Sequence, residues 1–414
     1  MVLDIFICTA KCGNLVYLKM PLKVLMIGWE LPPFNSGGLG EACLGLARAI
    51  SRKGVGITFI LPKKQEFKFD FINLIFADVD ELELALPAAY VTTHSWSRMF
   101  STDDLPPDYV KASLKYAEKM EKLIKRFVGN VDVIHAHDWM TYPAGVVAKR
   151  ILNKPLVVHV HSTEYDRTGG HLPNPAVYKI EKMGFEEADK ILPVGGYMKS
   201  IIVDKYDIAE DKIMTIYNGV DEEKKDLPPA LMAYKKLGYK IVLYLGRITL
   251  QKGPEYFVRA AGKVADYFSK VIFVVTGSGD MQDYMISEAA RLGILDKFIF
   301  TGFLRGDERD QIYQTADLYV MPSVSEPFGI TALEAAVNGT PALISKQSGV
   351  SEIFINALKT DFWDIDEMAN KILAVIKYGS LRKDLRRESG KEVKSFSWSR
   401  AADEVLKVYN QLIT

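Results

Sequence analysis

From Lys23 onward the chain alternates short apolar, β-branched runs with helical stretches. In the first half the runs are KVLMIGWE (23–30), VGITFILP (55–62), VDVIHAHD (131–138), PLVVHVHS (155–162) and KIMTIYNG (212–219). Helical sequences such as GEACLGLARAISRKG and YPAGVVAKRIL lie between them. The grammar restarts with KIVLYLGR (240–247), VIFVVTGSG (271–279), KFIFTGF (297–303), LYVMPS (318–323) and PALISK (341–346). A strand apolar at successive positions is covered on both faces, and helices supply the covers when strands run parallel. The pattern predicts an α/β chain with two doubly wound parallel sheets in tandem.

The break falls at residues 219–239, GVDEEKKDLPPALMAYKKLGY, which are charged, carry a double proline and show no strand signal. The expected units are therefore 21–218 and 240–395, joined by that linker. Residues 1–20 are mildly apolar but hold Lys11 and Lys19 and have no basic start, too weak a pattern for a signal peptide or membrane span. They are expected to be an extension outside the fold. Residues 396–414 begin FSWS and continue as the amphipathic AADEVLKVYNQLI, a terminal helix that can cross back and brace the first domain.

Size agrees with this division, since 414 residues exceed one ordinary domain. Charge changes the picture more. Lys plus Arg and Asp plus Glu balance at 52 each, so no global field draws the chain to nucleic acid or an anionic membrane. Any anion site must be built locally, from backbone amides and a few placed cations. Three cysteines, Cys8, Cys12 and Cys43, make no disulfide framework and suit a reducing cytoplasm.

Ligands of doubly wound sheets sit beyond the carboxyl ends of the strands, which puts the candidate site in the cleft between the domains. The first strand runs into WELPPFNSGGLGEACLGLA, with Gly37, Gly38 and Gly40 before a helix, where amides and a positive dipole end meet an anion. A tight turn explains the same glycines, and the spacing is not the dinucleotide fingerprint. GRITLQKG places Arg247 and Lys252 after a strand, able to bracket a diphosphate by fork and by point charge. GSGD, with Gly277, suits close backbone approach to a base or ribose. EPFGITALEAA predicts a turn and a helix start at Pro327, Phe328, Gly329, Ile330 and Thr331, with Glu326 at the mouth and Glu334 within the helix. Two carboxylates flanking an amide nest can hold the hydroxyls of a sugar and of a ribose. His135 and His137, then His159 and His161, recur at period two and share one sheet face. Such histidines more often pack by hydrogen bonding than bind metal, and no metal is expected. Asp138 and His161 lie nearest the strand exits.

In order, GGLGEA, HAHDW, HSTEYDR, YNGVD, GRITLQKG and EPFGITALEA resemble the retaining glycosyltransferases of the GT-B fold. The likeness runs from Lys23 to the last helix and is nearest to the large family with sucrose-phosphate synthases and mannosyltransferases, and to glycogen and starch synthases. The resemblance implies two Rossmann-like domains facing across a cleft. It implies that Gly37 and Gly38 contact the donor diphosphate and that Arg247 and Lys252 stabilise the departing phosphate. Glu326, with Phe328 and Gly329, would bind the sugar, Glu334 the ribose and His161 the reacting region. Asp138 and Glu164 would face the acceptor. No cofactor is implied, because the nucleotide sugar, ADP-glucose or UDP-glucose, is a substrate. The expected acceptor is an α-glucan. Where glycogen and starch synthases often carry Lys-Thr-Gly-Gly-Leu, this chain has Asn35-Ser36-Gly37-Gly38-Leu39, one positive charge fewer.

Two alternatives differ in class. A lipid-linked acceptor would use a basic amphipathic helix, and KASLKYAEKMEKLIKRF (111–127) carries six Lys or Arg. Glu118 and Glu121 stand four before Lys122 and Lys125, however, and Ala117, Met120, Ile124 and Phe127 form an ordinary core stripe, so no membrane association is expected. A nucleotide-sugar epimerase or binding protein shares the architecture, but has little use for Glu326, Glu334 and GRITLQKG together.

Overall fold

A computed structural model of the protein describes residues 21–34, 37–79, 107–169, 172–221 and 230–413. Cys8, Cys12, Asn35 and Ser36 lie outside the described residues. Two six-stranded parallel sheets organise the chain. The first holds β1 (Lys23–Ile27), β2 (Gly56–Leu61), β3 (Asn73–Phe76), β4 (Val133–His137), β5 (Leu156–Val160) and β6 (Lys190–Pro193), in the order β3-β2-β1-β4-β5-β6. The second holds β7 (Lys240–Leu245), β8 (Val271–Thr276), β9 (Phe298–Gly302), β10 (Leu318–Met321), β11 (Ala342–Ser345) and β12 (Leu358–Thr360), in the order β12-β11-β10-β7-β8-β9. Read from its own first strand, the second sheet repeats the first. Both are doubly wound, as the apolar runs predict.

Central strands are buried along their whole length in β4, β5 and β8. Each fully buried Val, Leu or Ile there contributes about 1.5–3 kcal/mol through the water it no longer orders. Three strands escaped the sequence pattern, and all three are sheet edges: β3, β6 and β12. An edge strand is half covered, so its sequence need not be a continuous apolar run. One expected strand, residues 212–219, is a correction. The segment runs extended beside β6, with Met214 N donating to Ile191 O and Ile216 N to Pro193 O, each at 2.9 Å, but forms only an isolated bridge at Ile213. It is leaving the sheet edge toward the second domain, so its apolar residues pack without a continuous ladder.

The helix Gly38–Ser51 is buried on nearly every side, from Leu39 through Ile50. Such a helix needs cover on both flanks. The sheet covers one, and the terminal helix Trp398–Ile413 crosses back from the second domain to cover the other. A Cβ on Gly45 would meet the Trp398 ring at 2.4 Å, so the two helices touch where a side chain is missing. Val220 N donates to Phe396 O at 2.8 Å and ties the two crossing segments together. In the helix Pro107–Ile124, Ala117, Met120 and Ile124 of the expected stripe are buried, with Tyr116 beside them, whereas Phe127, in the turn that follows, is only half-buried. Among the described residues no helix is long and apolar enough to cross a membrane.

Candidate active site

In each sheet the strand order reverses between its first and fourth strands, β1/β4 in one and β7/β10 in the other. Splayed loops at such a point leave a crevice beyond the strand ends. The two crevices face each other and enclose a cavity of about 410 Å³. That volume lies within the range of small-molecule sites. Its wall includes Gly37, Gly38, Asp138 and His161 from the first domain. Arg247, Lys252, Gly277, Glu326, Phe328, Gly329, Ile330, Thr331 and Glu334 line it from the second. Of the residues expected to meet donor or acceptor, Glu164 is not on this wall, and neither are Gly40, His135, His137 and His159. The Glu164 carboxylate accepts from Arg167 Nε at 2.9 Å, inside the first domain.

The second-domain wall is built from paired charges. Lys252 Nζ lies 2.6 Å from Glu326 Oε2, and Ser323 Oγ donates to the same oxygen at 3.1 Å. Glu326 is only 9 % exposed, so the pair sits where little water screens it. Behind it Gly329 turns the chain with φ 106, a left-handed conformation that favours glycine, and a Cβ there would press on Met321 and Val350. Helix Ile330–Val337 then starts facing the cavity, and its first N–H groups have no partner within the helix. Glu334 is held by Arg309 at 3.0 Å through one oxygen, while Tyr313 donates to the other at 3.2 Å. Arg247 reaches the cavity beside Gln251, at 3.4 Å. Gly277 has φ 133, and a Cβ there would fall 1.9 Å from Gly246 O. Glycine is thus required for the β7 and β8 loops to close on each other, whatever else approaches.

The first-domain wall sets Glu41, Asp138 and Arg167 around a helix start and an uncharged His161. A Cβ built on Gly38 meets no atom of the described residues within 4 Å, so the helix start there opens onto the cavity. Asp138 adopts φ 65, a strained conformation for a residue with a side chain. Its Oδ1 accepts from His161 N at 3.0 Å and Ser162 N at 3.2 Å, stapling the ends of β4 and β5 together. Burial pushes its acid up to about 6, against the lowering effects of Arg167 and of those two amides.

The four histidines form an array beneath this wall. His159 Nδ1 and His135 Nε2 are 3.2 Å apart, as are His137 Nδ1 and His161 Nε2. His135 stacks on His137, and His159 on His161, with centroids 4.3 and 4.6 Å apart. Burial and mutual repulsion hold His135, His137 and His161 well below the usual imidazole range, and burial lowers His159 to about 3. All four are neutral at pH 7. Tyr409 of the terminal helix meets His135 Nδ1, so the crossing helix is anchored on the array.

Several residues at the cleft carried no sequence signal. Glu352 accepts from Gly196 N at 2.7 Å, Tyr197 N at 2.8 Å and Tyr217 Oη at 2.9 Å, so a second-domain carboxylate caps a first-domain helix. Ser325 Oγ donates to Asp166 Oδ1 at 3.0 Å, and Arg305 Nη1 to Pro33 O at 2.7 Å. Arg309 belongs to this group, because nothing in GDERDQ marks it as the partner of Glu334. Arg167, within HSTEYDR, binds Glu164 and Glu181 and also lines the cavity.

Two facing doubly wound domains with a charge-paired cleft define a GT-B protein. Comparisons with known proteins say which kind. Residues 36–224 match the family described as Glycosyltransferase Family 4, and residues 233–392 match Glycosyl transferases group 1. An uncharacterized glycosyltransferase of Methanocaldococcus jannaschii, MJ1607, is 31% identical over 405 residues, covering 94% of this chain and 98% of that protein. The chain belongs to the glycosyltransferases. A glycogen synthase of Mycobacterium tuberculosis is 25% identical over 406 residues, covering 94% of each chain. The structure of a sucrose-phosphate synthase from Thermosynechococcus elongatus superposes with TM-score 0.75 at 19% identity, covering 95% of this chain and 99% of that one. That last likeness establishes the fold alone.

Proposed function

We propose that the chain transfers glucose, with retention, from ADP-glucose or UDP-glucose to an α-glucan in the cytoplasm. The observation that carries the donor half is the Lys252–Glu326 pair, at 2.6 Å in a buried crevice beside a helix start. An ammonium and a carboxylate that hold each other without ligand can each take a new partner from a sugar diphosphate. Lys252 turns to the phosphate and Glu326 accepts from sugar hydroxyls, so the burial of both charges is compensated in each state. Arg247, the amides of Phe328 to Thr331, and Gly37 and Gly38 complete the anion site. Glu334 binds the ribose with Arg309 fixing its carboxylate.

In the transfer step the bond from the anomeric carbon to the β-phosphate oxygen breaks. The acceptor oxygen bonds to that carbon on the same face, and its proton passes to the departing phosphate. Nucleoside diphosphate and an extended glucan leave. Negative charge builds on the phosphate as the bond opens, and fixed cations in a water-poor cleft are the effective stabilisers of such charge. Neutral His161 contributes a hydrogen bond instead of charge, and Asp138 borders the acceptor side. The mycobacterial glycogen synthase, alike over 94% of its length, supports the glucan acceptor.

A donor panel of ADP-glucose, UDP-glucose and GDP-mannose, with and without glycogen or maltooligosaccharide, tests the reading. Nucleotide release and glucose incorporation that require both a glucose donor and the glucan are expected. Activity confined to GDP-mannose would sink the glucose reading, and transfer that ignores glucan would sink the acceptor.

A further inference from the structure

We infer that His137, which does not line the cleft, is a positioning residue that sets the tautomer of His161, so that His161 presents Nδ1–H to the ligand. The inference starts from which ring atoms are spent. His161 uses Nε2 on His137 Nδ1, 3.2 Å away, which leaves Nδ1 as its remaining polar ring atom at the cavity wall. Both rings are neutral, so each carries one N–H, and the contact permits two arrangements. In one, His137 donates from Nδ1, and His161 must then hold its proton on Nδ1. In the other, His161 donates from Nε2, and His137 must hold its proton on Nε2.

His137 Nε2 decides between them, because it is fully buried and has no hydrogen-bond partner among the described residues. The second arrangement strands an N–H donor there, whereas the first strands only a lone pair. Buried N–H groups without acceptors are rarer and more costly than under-used acceptors. The main chain of His161 is fixed independently, by its N–H on Asp138 Oδ1. Backbone and tautomer are therefore set by adjacent residues, Asp138 and His137. A neutral Nδ1–H is a donor suited to an oxygen of the transferred sugar and unsuited to a cation or an N–H ligand.

The catalytic consequence rests on the glycosyl-transfer reading, but the tautomer is measurable without turnover. Long-range ¹H–¹⁵N correlation on the chain labelled at its six histidines is expected to show His161 protonated at Nδ1 and bare at Nε2, with His137 likewise. The reverse pattern at His161 overturns the inference even if transfer is confirmed. Two variants separate positioning from packing. His137→Asn keeps an amide N–H near the Nδ1 position and is expected to retain the His161 pattern, with kcat within about threefold of the parent. His137→Leu removes the donor and is expected to mix the two tautomers and lower kcat about tenfold, with the donor KM little changed. An unchanged tautomer in His137→Leu overturns the inference. Should that variant not fold, the parent spectrum and His137→Asn still decide it. Absence of transfer with every donor would instead count against the proposed function.

Discussion

The two halves of the molecule share one strand order and put their crevices at equivalent places, yet the walls are built oppositely. At β7/β10 the wall is made of charge pairs, Lys252 with Glu326 and Arg309 with Glu334. At β1/β4 it is made of a helix start at Gly38, a strained Asp138 and neutral imidazoles. Fold alone does not account for the difference, since both sheets are doubly wound. The residues just past the strands do. A charge-paired wall can exchange partners with a ligand of mixed polarity, a sugar bearing phosphates. The opposing wall, with its helix start, hydrogen-bonded Asp138 and uncharged His161, orients what it meets through placed donors and acceptors.

That contrast can be broken most severely at Lys252. Lys252→Ala removes the cation and leaves Glu326 buried without it. The expected loss of transition-state stabilisation is on the order of 2–4 kcal/mol, or about 30- to 10³-fold in kcat. Steady-state assay with saturating donor checks it, and an undiminished rate would refute the electrostatic role.

Asp138 gives the opposing wall its own signature. An acid pushed from 3.8 to about 6 keeps its proton in the fold where the unfolded chain has lost it. Between those values the folded state binds more protons, so the contribution to stability is lost as pH rises through the interval. Against Asp138→Asn, which cannot titrate, the parent should lose up to about 3 kcal/mol between pH 4 and pH 7. Urea melts of both proteins across that range measure it. A difference that does not vary with pH would show Asp138 to be normally acidic.

Gly38→Ala sharpens the comparison at the first-domain anion site. Among the described residues no atom opposes the new methyl group, so stability should stay within about 0.5 kcal/mol of the parent. On the proposed reading that the diphosphate lies against this helix start, donor affinity should fall about tenfold. Titration calorimetry together with thermal melts separates the two effects, and unchanged affinity would place the diphosphate elsewhere. Glu352→Gln is the mildest test, aimed at the contact between halves. The amide keeps one acceptor of the two that meet Gly196 N and Tyr197 N, and a loss of about 1 kcal/mol in denaturant stability is expected. No change would mean that those amides find equal partners without the carboxylate.

Much of the site was readable because chemistry and local geometry coincide in short motifs. GRITLQKG and EPFGITALE hold their cations, glycines and acids within a few residues of a strand end, and the fold carries them together to one cavity. His135, His137, His159 and His161 share a face because period two is a property of any strand. Glu164 was different: Arg167 stands three residues on in the same helix, but only the packed fold adds Glu181 and turns the pair inward. Edge strands β3, β6 and β12 were silent because half coverage does not demand an apolar run. Segment 212–219 misled for the converse reason, being apolar enough for a strand but placed where the ladder ends.

By itself the sequence determined the two doubly wound sheets and the residues that follow each strand. These depend on periodicity and on neighbours within a turn or two. Tertiary structure alone decided what crosses the cleft: Glu352 on Gly196 and Tyr197, Ser325 on Asp166, Arg305 on Pro33. It also decided that Arg309 pairs with Glu334 and that His137 meets His161. Such contacts join residues distant in the chain through donors and acceptors that any polar side chain offers, so only the packed geometry selects the partner.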